Sequence, residues 1–434
     1  LTALLFVFII NVYIGGFLMS FDKKTVEDID VLNKTVLVRV DYNVPQDKAT
    51  GEVTDSLRIE ESLVTINNLL DRGAKVVLAA HLGRPDGVRN EKYSLRPVFD
   101  KLVEMLPDEQ VGFVDNDIEV ETDEIRGRIN RALGRSVVLL ENIRFHASEE
   151  LKGKTDEDKA KKLEFAQKII DATGAEVFVL DGFGVAHRDN TSVSTVSELI
   201  PGVAGFLLEK EVTTIESAME NPERPFVAVI GGAKISDKIG VIKAFIEKAD
   251  KIVIGGAMAN TFLKYNGLRV GRSLIEEGQE EVIREIYDLA EKTGVELILP
   301  TDVVVAPELS EDAEAVEKNV SEVGENDRIL DIGSGASSRA TEALSDAKTI
   351  IWNGTVGCTE IEKFAGGSVR ILEAISENKD TVSIVGGGDT AGFVKNYQKD
   401  HSGVFVTHIS TGGGAGLELM EGINLPGVAA LQDK

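Results

Sequence analysis

Short apolar runs rich in β-branched residues recur along the chain, at 35–40, 75–80, 137–140, 177–180, 226–230, 251–254, 296–299, 349–352, 382–385 and 404–409. Each is continuous rather than alternating, and each is bounded by Gly, Asp, Asn or Pro. A strand covered on both faces reads this way, whereas a strand with one wet face alternates. Longer amphipathic segments separate most of the runs, so the pattern predicts parallel sheets packed between helices. About ten strands exceed one comfortable sheet. The place to divide them is 206–219, which reads as a helix stopped by Asn221-Pro222-Glu223-Arg224-Pro225.

The expected fold class is therefore α/β, with two doubly wound, Rossmann-like parallel-sheet domains joined by a helical hinge. The expected boundaries are 19–205 for the first domain, 206–222 for the linker helix, 223–409 for the second domain and 410–434 for a last segment. Residues 1–19, LTALLFVFIINVYIGGFLM, are uncharged and almost wholly apolar, nearly long enough to span a bilayer. No Lys or Arg precedes the run and no small-x-small site closes it, so it makes a poor signal peptide. The expected reading is that the protein proper opens at Met19 and that 1–18 are an upstream artefact. A membrane anchor is the alternative.

Composition narrows the partners. A formal net charge of −26 over 434 residues repels nucleic acid and anionic membrane surfaces. One cysteine, Cys358, excludes an internal disulfide framework and a cysteine zinc site. The expected location is the cytoplasm, with small molecules as partners and a monomer as the working unit.

In doubly wound sheets ligands gather beyond the carboxyl ends of strands. In the first half those positions hold basic and amide groups: Arg39, Asp41 and Asn43, with Arg58 shortly after; His81 and Arg84; Arg144; and His187-Arg188. One such arginine reads as a surface ion pair. Several together, in so acidic a chain, suggest a pocket for a phosphorylated anion, because guanidinium grips phosphate and carboxylate bidentately. In the second half the same positions are glycine-rich: Gly231-Gly232-Ala233-Lys234 with Lys238 four residues on, Gly255-Gly256, Trp352-Asn353-Gly354, Gly386-Gly387-Gly388-Asp389 and Gly412-Gly413-Gly414. Bare backbone at a helix start seats phosphate, and a carboxylate at Asp389 stands where a nucleotide's metal ion would sit. Lys234 and Lys238, at i and i+4, are expected on one helix face. A basic pocket and a glycine-lined pocket supply the parts for phosphoryl transfer, which works by positioning and electrostatics.

The motifs VLVRVDYNVP (36–45), AHLGRPDG (80–87), ENIRFH (141–146), FGVAHR (183–188), GGAKISDKI (231–239), GGAMANTFL (255–263), LPTDVVVA (299–306), WNGTVG (352–357), GGGDT (386–390) and STGGGAGLELMEGINLPGV (410–428) resemble those of the phosphoglycerate kinase family, in family order. The resemblance implies a glycolytic kinase that moves a phosphoryl group between 1,3-bisphosphoglycerate and MgADP, giving 3-phosphoglycerate and MgATP, by in-line transfer after domain closure. It implies that Asp41 and Asn43 hold the glycerate part, beside Arg39, and that His81, Arg84, Arg144 and Arg188 surround the phosphate end. Arg58 and Lys238 would act on the transferring group, with Gly388 and Gly413 among its backbone donors. Gly232, Ala233 and Gly256 would line the adenine and ribose site, with Asn353 and Glu360 as further nucleotide contacts. Lys234, Lys238, Gly386, Gly387, Gly388 and Thr390 would meet the phosphates, and Asp389 would hold Mg²⁺. The resemblance also implies that the segment from about residue 410 returns to the first domain. Three departures from the family pattern are Thr355 for a proline, Gly416 for a serine and Ser334-Gly335-Ala336 for a Pro-Glu pair. All three are expected to border the nucleotide site.

Two other readings stand beside this one. Gly386-x-Gly388-x-x-Ala391 fits a dinucleotide fingerprint, so an NAD(P)-dependent oxidoreductase is an alternative; it leaves the arginine loops unexplained. A catalytically retired nucleotide-binding protein is the non-enzymatic alternative, against which the joint presence of Arg58, Lys238 and Asp389 argues. The GKT at 153–155 lacks the first glycine of a phosphate loop, and His187-Arg188-Asp189-Asn190 lacks protein-kinase spacing.

Overall fold

A computed structural model describes residues 21–132 and 135–434. The expectations about residues 1–18 lie outside the described residues. The chain divides into two compact units, one running to Thr213 and including Asn424–Lys434, the other spanning Thr214–Ile423. Among the described residues, no helix is long and apolar enough to cross a membrane.

The first unit is built on six parallel strands: β1 (Thr35–Arg39), β2 (Lys75–Ala79), β3 (Gln110–Val114), β4 (Ser136–Leu140), β5 (Val177–Leu180) and β6 (Gly202–Ala204), in the order β3-β4-β2-β1-β5-β6. β4 is buried at every position, which is why 137–140, after its first residue Ser136, read as an unbroken apolar run. The helices are α1 (Leu57–Asp71), α2 (Arg96–Met105), α3 (Thr122–Arg131), α4 (Asp156–Thr173) and α5 (Phe206–Glu220). α1 turns Ile59, Ser62, Ile66, Leu69 and Leu70 inward, the i, i+3, i+4, i+7 spacing of a helix lying on a sheet. Ile59, Ile66, Leu69 and Leu70 pack with Val36, Val38, Val76 and Leu78 in the core. α4 starts where Thr155 Oγ1 accepts from Asp158 N at 3.1 Å and stops at left-handed Gly174. α5 crosses from the first unit into the second without a break. Its first turn is capped by the buried Asp181, whose Oδ1 accepts from Leu207 N at 2.9 Å.

The second unit contains a six-stranded parallel sheet and a three-stranded antiparallel one. The strands are β7 (Phe226–Ile230), β8 (Lys251–Ile254), β9 (Glu296–Ile298), β10 (Asp302–Ala306), β11 (Val316–Asn319), β12 (Arg328–Ile332), β13 (Thr349–Asn353), β14 (Val382–Gly386) and β15 (His408–Ile409). The large sheet has the order β15-β14-β13-β7-β8-β9, and the small one β11-β10-β12. Its helices are α6 (Ile239–Lys248), α7 (Gly256–Tyr265), α8 (Glu280–Thr293), α9 (Ser334–Ser345), α10 (Gly366–Glu377), α11 (Gly388–Asp400) and α12 (Gly413–Met420). Val227, Val229, Ile350, Trp352 and Val385 of the sheet pack with Ala340, Leu344, Ile371 and Val394. The strand order reverses between β7 and β13, a topological switch point.

Five strands carry no matching apolar run in the sequence reading. β6 is three residues long, β11 is the polar VEKN on an edge, and β3 carries Gly112 within an exposed-to-buried gradient. β10 and β12 belong to the antiparallel sheet, outside the repeating strand–helix pattern. The expected strand at 404–409 shrinks to β15, because only His408 and Ile409 pair, with Ile384 and Val385.

The final segment leaves the second unit later than position 410, since β15 and α12 pack on β14 and α6. The short helix α13 (Pro426–Ala429) belongs to the first unit. Lys24 N donates to Gln432 O at 2.8 Å and Gln432 N to Gly202 O at 3.0 Å, which fastens both ends of the described chain at β6. A Cβ on Gly427 would stand 2.8 Å from Leu180 Cδ2 and from Val193 Cγ1. Gly427→Ala should therefore overpack this seat and destabilise the first unit by about 1–3 kcal/mol. Thermal unfolding of the variant measures it, and an unchanged midpoint would show that the seat yields.

Candidate active site

The carboxyl ends of β1, β2, β4 and β5 gather charged side chains in the first unit. Arg39, the last residue of β1, is wholly buried. Its Nε donates to Ser192 Oγ at 2.7 Å, and Nη2 lies 3.4 Å from His81 Nδ1. Arg58, from the first turn of α1, donates from Nη1 to Asp41 Oδ2 at 2.8 Å and to Asn43 O at 3.0 Å. Asn43 Oδ1 in turn accepts from Gly83 N at 2.9 Å, and Arg144 Nη1 donates to Gly83 O at 2.9 Å. Asp41, Asn43, Arg58, His81 and Arg144 thus form one connected set. Arg188 joins it electrostatically: burial first, then Arg39, Arg144, Arg188 and Arg58, hold the His81 imidazole well below its usual pKa. Arg84 is exposed and makes none of these contacts.

Four guanidiniums gather here against three carboxylates: Asp41 beside Arg58, Glu150 3.1 Å from Arg144 Nη2, and Glu149. The buried Nε atoms of Arg144 and Arg188 have no hydrogen-bond partner, an arrangement that is expensive unless something anionic completes it. Glu149 provides part of the compensation. It is fully buried, accepting from Ser192 N at 2.9 Å and from Ser192 Oγ at 2.7 Å. The sequence places Glu149 at the start of an acidic, lysine-rich stretch that reads as a solvated approach to a helix. The structure corrects this. Glu149 and Ser192 are the residues that sequence reasoning misses here, and an acidic residue in an acidic run carries no signal of burial.

In the second unit the switch point between β7 and β13 holds Lys238. Its Nζ donates to Gly231 O at 2.8 Å, Asn353 O at 3.0 Å and Asn353 Oδ1 at 2.7 Å. Burial lowers its pKa to about 8, against the opposing pull of Asp389 and Asp237. Gly354 adopts φ +97°, and a Cβ there would stand 2.6 Å from Lys238 Nζ, so only glycine leaves the lysine in place. Gly354 N donates to the hydroxyl of the buried Thr390 at 2.8 Å.

α11 and α12 begin side by side at glycines, with no side-chain cap on either. A Cβ on Gly413 would stand 3.7 Å from Gly388 N, while one on Gly388 would meet nothing within 4 Å. Two uncapped helix N-termini therefore open on free space beside Gly386, Gly387 and the exposed Asp389. A cavity of about 780 Å³ adjoins them, lined among others by Gly232, Ala233, Gly256, Glu360 and Asp389. Its apolar walls include Leu274, Val303 and Leu309, which the sequence reading did not single out.

Two expectations change here. Lys234 and Lys238 do not share a helix face, because α6 starts only at Ile239. Glu276 accepts from Ile235 N and Ser236 N at 2.8 and 3.0 Å, holding the preceding turn open, and Lys234 is exposed. Of the three departures, Thr355 lines the cavity. Ser334-Gly335-Ala336 instead opens α9, where Asp302 accepts from Gly335 N and Ala336 N at 2.8 and 2.6 Å. Gly416 sits inside α12, its N–H bonded to Gly412 O.

The phosphoglycerate kinase family model matches residues 26–423. The phosphoglycerate kinase of Dictyoglomus turgidum is 45% identical over 417 residues, covering 95% of this chain and 100% of that protein. That of Chloroflexus aurantiacus is 46% identical over 420 residues, covering 95% and 99%. The structure of phosphoglycerate kinase from Coxiella burnetii aligns with a TM-score of 0.80 at 34% identity, covering 94% of this chain and 98% of that one. The chain belongs to the phosphoglycerate kinase family. The oxidoreductase alternative has no support: β15 ends in Ile409 and is followed by Ser410, with no acidic residue for a dinucleotide ribose.

Ser192 links Arg39 to Glu149, so Ser192→Ala removes an acceptor from one buried charge and the hydroxyl donor from the other, while the backbone N–H bond to Glu149 remains. The expected loss is about 1–3 kcal/mol, read as a lower unfolding midpoint. Wild-type stability in that variant would show that the two charges hold without their bridge.

Proposed function

We propose that this chain is a phosphotransferase that catalyses reversible phosphoryl transfer between 1,3-bisphosphoglycerate and MgADP. The observation that carries the reading is Lys238, its pKa lowered to about 8 by burial and its Nζ held by three oxygens at the switch point of the second unit. The arginine set of the first unit supports the substrate half. There Asp41 and Asn43 would hold the glycerate, and His81, Arg84, Arg144 and Arg188 its phosphate end. Arg58 and Lys238 would stabilise charge on the transferring group. Gly386–Gly388 and Gly413 would offer backbone N–H groups to it, as uncapped helix N-termini favour anions. Gly232, Ala233, Gly256, Asn353 and Glu360 would take the nucleoside and Lys234 and Thr390 the phosphate chain.

The exposed Asp389 carboxylate fits Mg²⁺, which binds through one or two carboxylates together with substrate phosphates. Bound there with the nucleotide, the ion would neutralise phosphate charge. The chain's own part is electrostatic and geometric, since transfer of this kind needs no covalent intermediate on the protein.

A coupled assay with 3-phosphoglycerate and MgATP should show turnover, and Lys238→Ala should lower kcat by roughly a hundredfold to a thousandfold. Full activity in that variant would remove Lys238 from the mechanism, and no turnover in the intact chain would favour the retired, binding-only reading. The proton on Lys238 gives an independent test. Free, the amine loses it at about 8 rather than 10.5; a phosphate beside it favours the charged form and raises that value again. Nucleotide binding should then take up a proton at pH about 8–9 and weaken as pH rises through that range. Calorimetry in buffers of different ionisation enthalpy measures the uptake, which should vanish in Lys238→Met.

A further inference from the structure

β3 and β4 are neighbours in the first sheet, so the turns that follow them lie side by side. The turn after β3 carries Asp117 and Glu119, and the segment after β4 carries His146. His146 Nδ1 lies 3.7 Å from Asp117 Oδ1 and 3.7 Å from Glu119 Oε2. One donor atom from each of the three residues falls within 4.8 Å of the others. A hydrogen-bonded nitrogen and oxygen would be about 2.7–3.2 Å apart. Donors around one cation with bonds of about 2.1 Å stand roughly 3–3.7 Å apart, and the two distances from His146 Nδ1 lie at the upper end of that range.

The imidazole is not a surface group that happens to lie near acids. Its side chain is 8% exposed, against 52% for Asp117 and 37% for Glu119. Phe165 packs on the ring at 5.0 Å between centroids, which fixes its plane, and Nδ1 is aimed at both carboxylates. Asp117 is fixed as well: its Oδ1 accepts from Glu119 N at 2.8 Å, and its own N–H donates to Glu121 Oε2 at 2.9 Å. Supports of this kind orient ligands.

We propose that Asp117, Glu119 and His146 bind one divalent transition cation of the zinc class. One imidazole with two carboxylates suits a borderline cation better than Mg²⁺ or Ca²⁺, which prefer an all-oxygen set. Exposure of the two carboxylates leaves the remaining positions to water. The cation ties the turn after β3 to the segment bearing Arg144, two residues before His146, and so stiffens one wall of the anion pocket.

The test uses the full chain, stripped with a chelator and free of nucleotide. Calorimetric titration with Zn²⁺ should show one saturable equivalent, and Co²⁺ in its place should give a visible d–d absorption. Asp117→Asn combined with Glu119→Gln, both at exposed positions, should weaken binding at least tenfold and remove the Co²⁺ band. His146→Gln should do the same; because His146 is buried, the exposed pair decides if that variant fails to fold. Asp389→Asn should leave Zn²⁺ binding unchanged. Absence of a saturable equivalent, equal affinity in the exposed pair, or loss of binding in Asp389→Asn would each overturn the proposal.

Discussion

Covering both faces of a parallel sheet leaves only its ends for chemistry. Strands such as β4 and β7 are buried at every residue, and apart from Ser136 at the start of β4 they carry only apolar side chains. At the carboxyl ends the ladder stops and backbone groups lose their partners. Those ends are where both units concentrate charge and bare amides. The two strand orders also fix which ends matter most, because a crevice opens where the order reverses: beside β1 and β5 in one unit, between β7 and β13 in the other.

The strand ends of the two units carry their positive potential by opposite electrostatic means. The first crowds arginines around the His81 imidazole, whose basicity burial and then these charges depress, and the Nε atoms of Arg144 and Arg188 have no hydrogen-bond partner. It relies on full charges, with Glu149 and Asp41 moderating the repulsion. The second has a half-buried lysine, held by carbonyl and amide oxygens that carry no charge. Around it are backbone N–H groups, fixed dipoles that need no counter-ion. The first arrangement suits a small, dense anion. The second suits a group whose charge moves during the reaction, since preorganised dipoles do not have to reorient.

Much of this was legible in the sequence, for stated reasons. The interior strands of both large sheets announced themselves because double-sided burial demands continuous apolar runs. Gly354 and Gly387 were visible because glycine is the residue that adopts positive φ without strain. Arg39, Arg58, Arg144 and Arg188 stood out against so acidic a chain. What stayed hidden had no compositional mark. β11 is a polar edge strand, and β6 is too short to show a pattern. Glu149 is buried only because distant Ser192 and Arg39 enclose it. The helix start after Lys234 was misplaced because Glu276, some forty residues on, takes the amides that a helix would have used.

Asp181 joins the last residues of β5 to the first turn of α5. Its carboxylate accepts from Leu207 N while burial lifts its pKa to about 7. Gly205, just before the helix, leaves no room for a side chain beside that carboxylate. The joint therefore has no slack. The same strand end leads on to Arg188, so one buried carboxylate lies between the arginine-bearing loop and the helix that carries the chain onward. The root of the helix is therefore held to the end of β5 by a buried carboxylate–amide bond, with no side chain able to enter between them.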